Sequence, residues 1–352
     1  MANVRMIRRW LLIVCGLVVF MVLFGGYVRL TRSGLSIVEW NVITGIVPPT
    51  SEADWQAEFA KYQESPEFEH VNADMTLSEY KFIFYNEYIH RLVARFAGLI
   101  VVLPFFWFLA KGIIPWRKSA IYWVVVILFG LQGAMGWYMV SSGLVDRPAV
   151  SHYRLTAHLL LALLLLSIAF LQWLHLDNRR AWHASGLLWV AGLVVGLIII
   201  QISYGGLVAG LKAGYVSDTW PLMYGAWLPA GIFSALDPWW RNLVEALPAV
   251  HYIHRWFAFV VLLAAIGLYL TARRRGDAPA LQRGLVWLLV LVTIQITLGV
   301  TVIWYHVPLV LALTHQGTAL FLFLTALYVA FEAAHLPAAA PVLVPQSRPR
   351  LS

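Results

Sequence analysis

The chain has 352 residues, of which 61% are hydrophobic and only 12% charged, and its mean hydropathy is +0.75. So little charge excludes an ordinary soluble domain and places the chain among integral membrane proteins. A formal charge of +8 would suit a nucleic-acid binder, but the basic residues gather at the ends of apolar runs, and the single cysteine excludes an intramolecular disulfide or a Cys-ligated cluster.

In chain order, Arg5, Arg8 and Arg9 precede an apolar stretch over residues 10–28. It is long for the h-region of a signal peptide and lacks a clear small-residue cleavage site, so it reads as a retained first span. Cys15, inside it, reads as a small buried apolar residue. Further runs follow at 89–110, 120–141, 153–175, 185–209, 252–272, 283–304 and 309–331. Each reaches the ~20 residues that cross a ~30 Å hydrocarbon core, which predicts an all-α integral membrane protein with eight transmembrane helices.

The short loops set the orientation. Lys111, Arg117 and Lys118, then Arg179 and Arg180, then Arg273, Arg274, Arg275 and Arg283 all fall on the side of the N-terminal arginines, as do Arg348 and Arg350. The positive-inside rule therefore predicts cytoplasmic N and C termini. The long loops at about 30–87 and 210–250 lie outside, with Trp40, Trp55, Trp220, Trp227, Trp239 and Trp240 suited to the interface. The tail from Leu336, rich in Pro and Ala, is predicted to be disordered.

The chain also repeats itself. FGGYVRLTRSGLSIVEWNVITGIVPP from Phe24 is echoed by YGGLVAGLKAGYVSDTWPLMYGAWLPA from Tyr204. His90 answers to His254, Gln132 to Gln295 and His158 to His315, at a nearly constant offset. The repeat predicts two four-helix bundles, 1–180 and 181–335, followed by a tail at 336–352; four spans per half make the halves parallel rather than inverted.

This repeat gives the histidines a geometry. All four would sit in the outer part of the membrane, one pair per half, and two histidines facing across a bundle are what axial ligation of a heme iron requires. Glu87 lies three residues before His90, one helical turn away, and its repeat counterpart is His251. A carboxylate at the mouth of a span is costly, which marks a functional site. Only the N-terminal pair has that acid, so the N-terminal half is predicted to be the reactive one. Arg91 and Arg255, next to the entrance histidines, read either as contacts to heme propionates or as residues snorkelling to headgroups. Arg29 and Arg32 carry the same two readings. Gln132 and Gln295 read as interhelical hydrogen-bond formers, and the pairs Gly25–Gly26 and Gly205–Gly206 as points of close approach. His70, His175, His183 and His335 read as surface residues, and His152 and His306 as interfacial.

GGYVRLTRSGLSIVEWNVITGIVPP, SEADWQAEFAKYQESPEFEH, EYKFIFYNEYIHRLVARFAG, SDTWPLMYGAWLPAG, HRWFAF and LTHQGTALF resemble the heme A synthase family of mitochondria and proteobacteria, over nearly the whole chain. The resemblance implies an oxidoreductase with eight spans in two similar halves, which oxidises a porphyrin methyl group of heme O to the formyl group of heme A for a-type terminal oxidases. It implies that His90 and His158 hold the substrate heme, that His254 and His315 hold a heme b cofactor, and that Glu87 is the acid of the active site. The implied partners are heme O, heme O synthase, cytochrome oxidase assembly factors and an electron acceptor not yet identified, in a bacterial inner membrane with the hemes toward the periplasm. Some relatives carry a cysteine pair in the first outer loop; this chain has none, so a thiol relay there is excluded. The rival from another class is a diheme b-type electron-transfer cytochrome that leaves both hemes unaltered.

Overall fold

A computed structural model describes residues 2–41, 44–145, 147–178, 180–273 and 278–336. Arg179, Arg274, Arg275 and the tail beyond Leu336, with Arg348 and Arg350, lie outside the described residues. Ten α-helices are present there: α1 (Ala2–Leu30), α2 (Glu52–Gln63), α3 (Pro66–Val71), α4 (Leu77–Ala110), α5 (Ala120–Ser141), α6 (His152–His175), α7 (Gly186–Leu211), α8 (Leu247–Arg273), α9 (Pro279–Trp304) and α10 (Leu309–Ala334). All except α2 and α3 are long and apolar enough to cross a membrane, so the protein is a multi-pass membrane protein.

The helices pack in two closed circuits. α1, α4, α5 and α6 each touch the next in turn, and α6 returns to α1; α7, α8, α9 and α10 do the same. The seam between circuits joins α6 to α7 and α1 to α10. Each circuit has its own apolar core. Leu11, Val14, Val101, Phe105, Val125 and Leu166 fill the first; Leu187, Val194, Leu268, Leu285, Phe323 and Val329 fill the second. With water absent from the surrounding lipid, such helices are held by close packing and interhelical hydrogen bonds rather than by a solvent-driven collapse.

The main departure from the sequence reading is α4. Hydropathy places its start near residue 89, but the helix begins twelve residues earlier, at Leu77. Thr76 caps it: its side chain accepts from Glu79 N, while the Glu79 side chain accepts from the backbone N–H of Thr76. The added turns present Tyr80, Ile83 and Phe84 to Trp55, Phe59 and Tyr62 of α2, so their apolar surface is buried against a loop and not against lipid. The loop thereby becomes a packed cap. The Tyr80 hydroxyl donates to Ser36 O at 3.2 Å, which holds the strand of chain after α1 against α4.

Within that cap Glu67 is buried, with its Oε2 3.3 Å from the Tyr62 hydroxyl. Burial, only partly offset by the Tyr62 hydrogen bond, pushes its carboxyl up to about 7. Because the folded chain then holds a proton that the unfolded chain releases at an ordinary carboxyl pKa, stability is fullest below about pH 4 and falls as pH rises through about 7. Up to about 3 kcal/mol is at stake. The expected result is that proteolysis of the 44–76 loop quickens between pH 5 and 8, and that Glu67→Gln abolishes this dependence.

Candidate functional site: two histidine pairs at one end of the bundle

Each expected histidine pair lies on diagonal helices of one circuit, His90 on α4 with His158 on α6, and His254 on α8 with His315 on α10. His158, His254 and His315 stand six or seven residues from the starts of their helices, about 10 Å along. His90 stands about 20 Å from the start of α4, and the extra length is the extension under the cap. The four residues are thus at comparable depth, at the same end of the protein. The rings of His254 and His315 are 6.3 Å apart between centroids.

The intervening diagonals supply glycines. A Cβ on Gly25 of α1 would lie 3.4 Å from His90 Nε2, and one on Gly136 of α5 would lie 3.2 Å from His158 Cε1. Likewise a Cβ on Gly205 of α7 would lie 3.3 Å from His254 Cε1, and one on Gly299 of α9 would lie 3.2 Å from His315 Cε1. A Cβ would touch the ring at Gly25 and press on it at Gly136, Gly205 and Gly299, so the glycines let the rings lie close to the neighbouring backbone. The second glycine of the doublets has a different neighbour: Gly26 abuts the side chain of Gln316 on α10, and Gly206 that of Thr156 on α6. One glycine clears a ring within its own circuit while the next closes the seam.

Three of the rings also meet a glutamine amide. Gln132 Nε2 is 3.3 Å from both ring nitrogens of His158 and donates to its backbone carbonyl at 3.1 Å. Gln201 Nε2 is 3.2 Å from His254 Nδ1 and donates to its backbone carbonyl at 2.9 Å. Gln295 Nε2 is 3.2 Å from His315 Nε2. Gln132 and Gln295 were legible as hydrogen-bond formers, whereas Gln201, Gly136 and Gly299 were missed. Their signal is a Gln-x-x-x-Gly spacing that recurs in α5, α7 and α9.

Glu87 is 3% exposed and fully engaged. Its Oε2 accepts from Ser36 Oγ at 2.7 Å and Ile37 N at 3.0 Å, and its Oε1 accepts from Arg91 Nε at 3.0 Å and Nη2 at 2.6 Å. The carboxyl group is therefore fixed in position, aimed by the loop after α1 and by the next turn of its own helix. The same guanidinium donates to Ile37 O and Glu39 O and lies 4.8 Å over Trp40.

The two entrance arginines differ. Every nitrogen of Arg91 has a protein partner. Arg255 donates to Thr219 O through Nη2 and lies over Trp220, but its buried Nε and Nη1 have no partner, nor has Nδ1 of buried His251 one turn before it. Of the remaining residues, Arg29 reaches across the seam to Ala209 O at 2.6 Å. His335 was expected at the surface and is instead buried, its Nδ1 bonded to Phe331 O at 2.7 Å, because the last turn of α10 folds it back on the helix. His183 is half-buried, His70 and His175 are exposed, and His306 is exposed beside Asp218.

Among the described residues no group of three or more His, Cys, Asp or Glu could hold a bare metal ion. The histidines come as couples, which suits an iron whose other positions belong to a macrocycle. Metal–imidazole bonds of ~2 Å on each side place facing ring centres ~6 Å apart, in keeping with the His254–His315 spacing. Unpartnered buried N–H groups on Arg255 and glycine clearances beside all four rings fit a flat anionic group.

The COX15-CtaA family model, described as cytochrome oxidase assembly protein, matches residues 8–327. Curated relatives named heme A synthase include one from Nitrosospira multiformis, 42% identical over 330 residues and 92% of each chain. One from Paramagnetospirillum magneticum is 44% identical over 327 residues and 90% of each chain. Another, from Rhodopseudomonas palustris, is 41% identical over 321 residues, covering 90% of this chain and 86% of its own.

Proposed function

Because the chain belongs to the COX15-CtaA family of cytochrome oxidase assembly proteins, we propose that it does what its relatives named heme A synthase do, as an oxidoreductase that converts a methyl group of heme O to the formyl group of heme A. The observation that carries the reading is the pair of matched histidine couples, of which only one has a buried carboxylate within a helical turn of a histidine, Glu87 beside His90.

We read residues 1–180 as the substrate half, with His90 and His158 as axial ligands of heme O, and 181–335 as the cofactor half, with His254 and His315 holding heme b. Bound there, the hemes supply the reacting methyl group and a route for its electrons toward an acceptor outside the chain. The chain's own residues do the rest. The couples would hold each macrocycle, and the glycines leave room beside the rings that would bind it. Glu87, held by Ser36, Ile37 and Arg91, provides a negative charge near the substrate that takes up a proton or steadies positive charge developing at the oxidised carbon. Arg255, with two unpartnered N–H groups, is the better placed of the two arginines to grip a propionate; Arg91 serves by aiming Glu87. The basic inner loops support cytoplasmic termini in a bacterial inner membrane, with the heme sites toward the periplasm. Heme O synthase and oxidase assembly factors are the partners that would deliver heme O and receive heme A.

The test is extraction and chromatography of porphyrins from protein expressed together with heme O synthase. Heme A or hydroxylated heme O is expected beside heme b. Heme b alone would instead identify an electron-carrying diheme cytochrome. The clearances make a separate prediction: Gly299→Leu drives a side chain into the His315 ring and should lose most of the C-terminal heme on purification. Gly267→Leu, at an α8 position with nothing within 4 Å, should keep it.

A further inference from the structure

We propose that His251 joins Arg255 in a binding site for a single carboxylate, a propionate of the heme b between His254 and His315, and that the site takes from the cofactor the carboxyl group that Glu87 supplies in the first half. The proposal rests on the assignment of the C-terminal half to that cofactor. It gives a role to His251, the position at which the repeat exchanges an acid for an imidazole.

In the first half the pair at these positions is complete. Glu87 and Arg91 are four residues apart, on one face of α4, and close on each other at 2.6 Å. On α8, His251 and Arg255 have the same spacing and are buried, at 2% and 8% exposure. Arg255 donates to Thr219 O through Nη2 and lies over Trp220, which turns its head toward the loop after α7. Its Nε and Nη1 have no partner, and neither has His251 Nδ1. Among the described residues Arg255 has no acidic side chain within ion-pair distance.

A guanidinium does not shed its proton, so burial leaves its charge in place and an anion must answer it. Water would satisfy the hydrogen bonds but not the charge. A carboxylate does both, since it is negative and accepts from more than one donor. A neutral imidazole protonated at Nδ1 contributes a further donor without a further charge. The unanswered groups also flank an expected iron ligand: His251 precedes His254 by three residues and Arg255 follows it directly. A heme held by His254 brings carboxylates of its own. The first half has no such opening, because every nitrogen of Arg91 is already engaged by Glu87, Ile37 O and Glu39 O.

The experiment uses full-length protein carrying His90→Ala, in which only the C-terminal couple can make a heme six-coordinate. It is titrated with heme b and with the dimethyl ester of heme b, whose carboxylates are blocked, and the six-coordinate spectrum is read. Heme b is expected to bind about 10–100-fold more tightly than the ester, the worth of hydrogen bonds to a charged group. His251→Leu should weaken heme b about 10-fold and leave the ester unchanged. His251→Asn, whose amide nitrogen stands where Nδ1 does, should keep the starting preference. His251→Glu rebuilds the arrangement of the first half, so its carboxylate should close on Arg255 and abolish or reverse the preference while the ester still binds. Equal affinity for heme b and its ester in the starting protein would overturn the proposal, and that comparison needs no substitution within the site. A preference that survives both His251→Leu and His251→Glu would overturn it as well. A starting protein with no six-coordinate spectrum would overturn the assignment of the C-terminal half, and the proposal with it.

Discussion

Glu87→Gln protein is expected to bind both hemes and to make about 10²–10⁴-fold less heme A, the range over which a positioned acid–base group contributes to rate. The substitution removes charge but little volume. It also disturbs the site in a readable way. Glu87 receives donors at both oxygens, Ser36 and Ile37 at one and Arg91 at the other, and a glutamine can offer an oxygen to only one of these groups. Its NH2 must then face a donor, so the buried guanidinium or the loop loses a partner, at a cost of about 3–5 kcal/mol for a broken buried pair. Thermal midpoint and product yield must therefore be measured together. A purely architectural Glu87 would lose activity only as the cap loosens, so Ser36→Ala, matched for lost stability, would lose as much output. A catalytic Glu87 loses far more than Ser36→Ala at a temperature where both are folded. Normal heme A yield in Glu87→Gln would remove the role.

His254→Ala and His315→Ala should each abolish the six-coordinate b-type spectrum of the C-terminal half and leave the N-terminal heme in place. The two rings approach to 6.3 Å across a circuit whose other helices bring Gly205, Gly299 and the neutral amides of Gln201 and Gln295 against them, none of which replaces an imidazole as an iron ligand. The defect should therefore be chemical rather than a collapse. Added imidazole should restore a six-coordinate spectrum in the void left by the ring. Since Gln201 and Gln295 would be left facing that void, heme retention is expected to fall at least 10-fold before rescue. A spectrum unchanged by both substitutions would separate these histidines from the iron.

Much of this organisation was legible beforehand, for identifiable reasons. Eight spans follow from long apolar runs, and the four histidines stood out because an imidazole within such a run is rare and these recurred with the repeat. Hydropathy was silent where burial is made by a loop: residues 77–88 of α4 are mixed in character, and only their partners on α2 show why they are helical. The Thr76–Glu79 cap was written in the sequence, yet a search for apolar runs passes over it. Arg91 and Arg255 looked equivalent because their local sequence is nearly so. They diverge through Glu87, present beside the first and replaced by His251 beside the second. Contacts such as Ser36 with Glu87, 51 positions apart, depend on how the loop after α1 returns, which no local pattern states.

The glycine doublets have one last consequence. Gly25 and Gly26 are consecutive, yet one borders His90 of the first circuit and the other borders α10, which carries His315 of the second; Gly205 and Gly206 repeat the arrangement with the circuits exchanged. Side chains added along either doublet would meet His90 and Gln316, or His254 and Thr156, from adjacent positions of one helix. The twin compartments are in this respect co-inherited: neither can be reshaped by mutation at its shared wall without the change being felt next door.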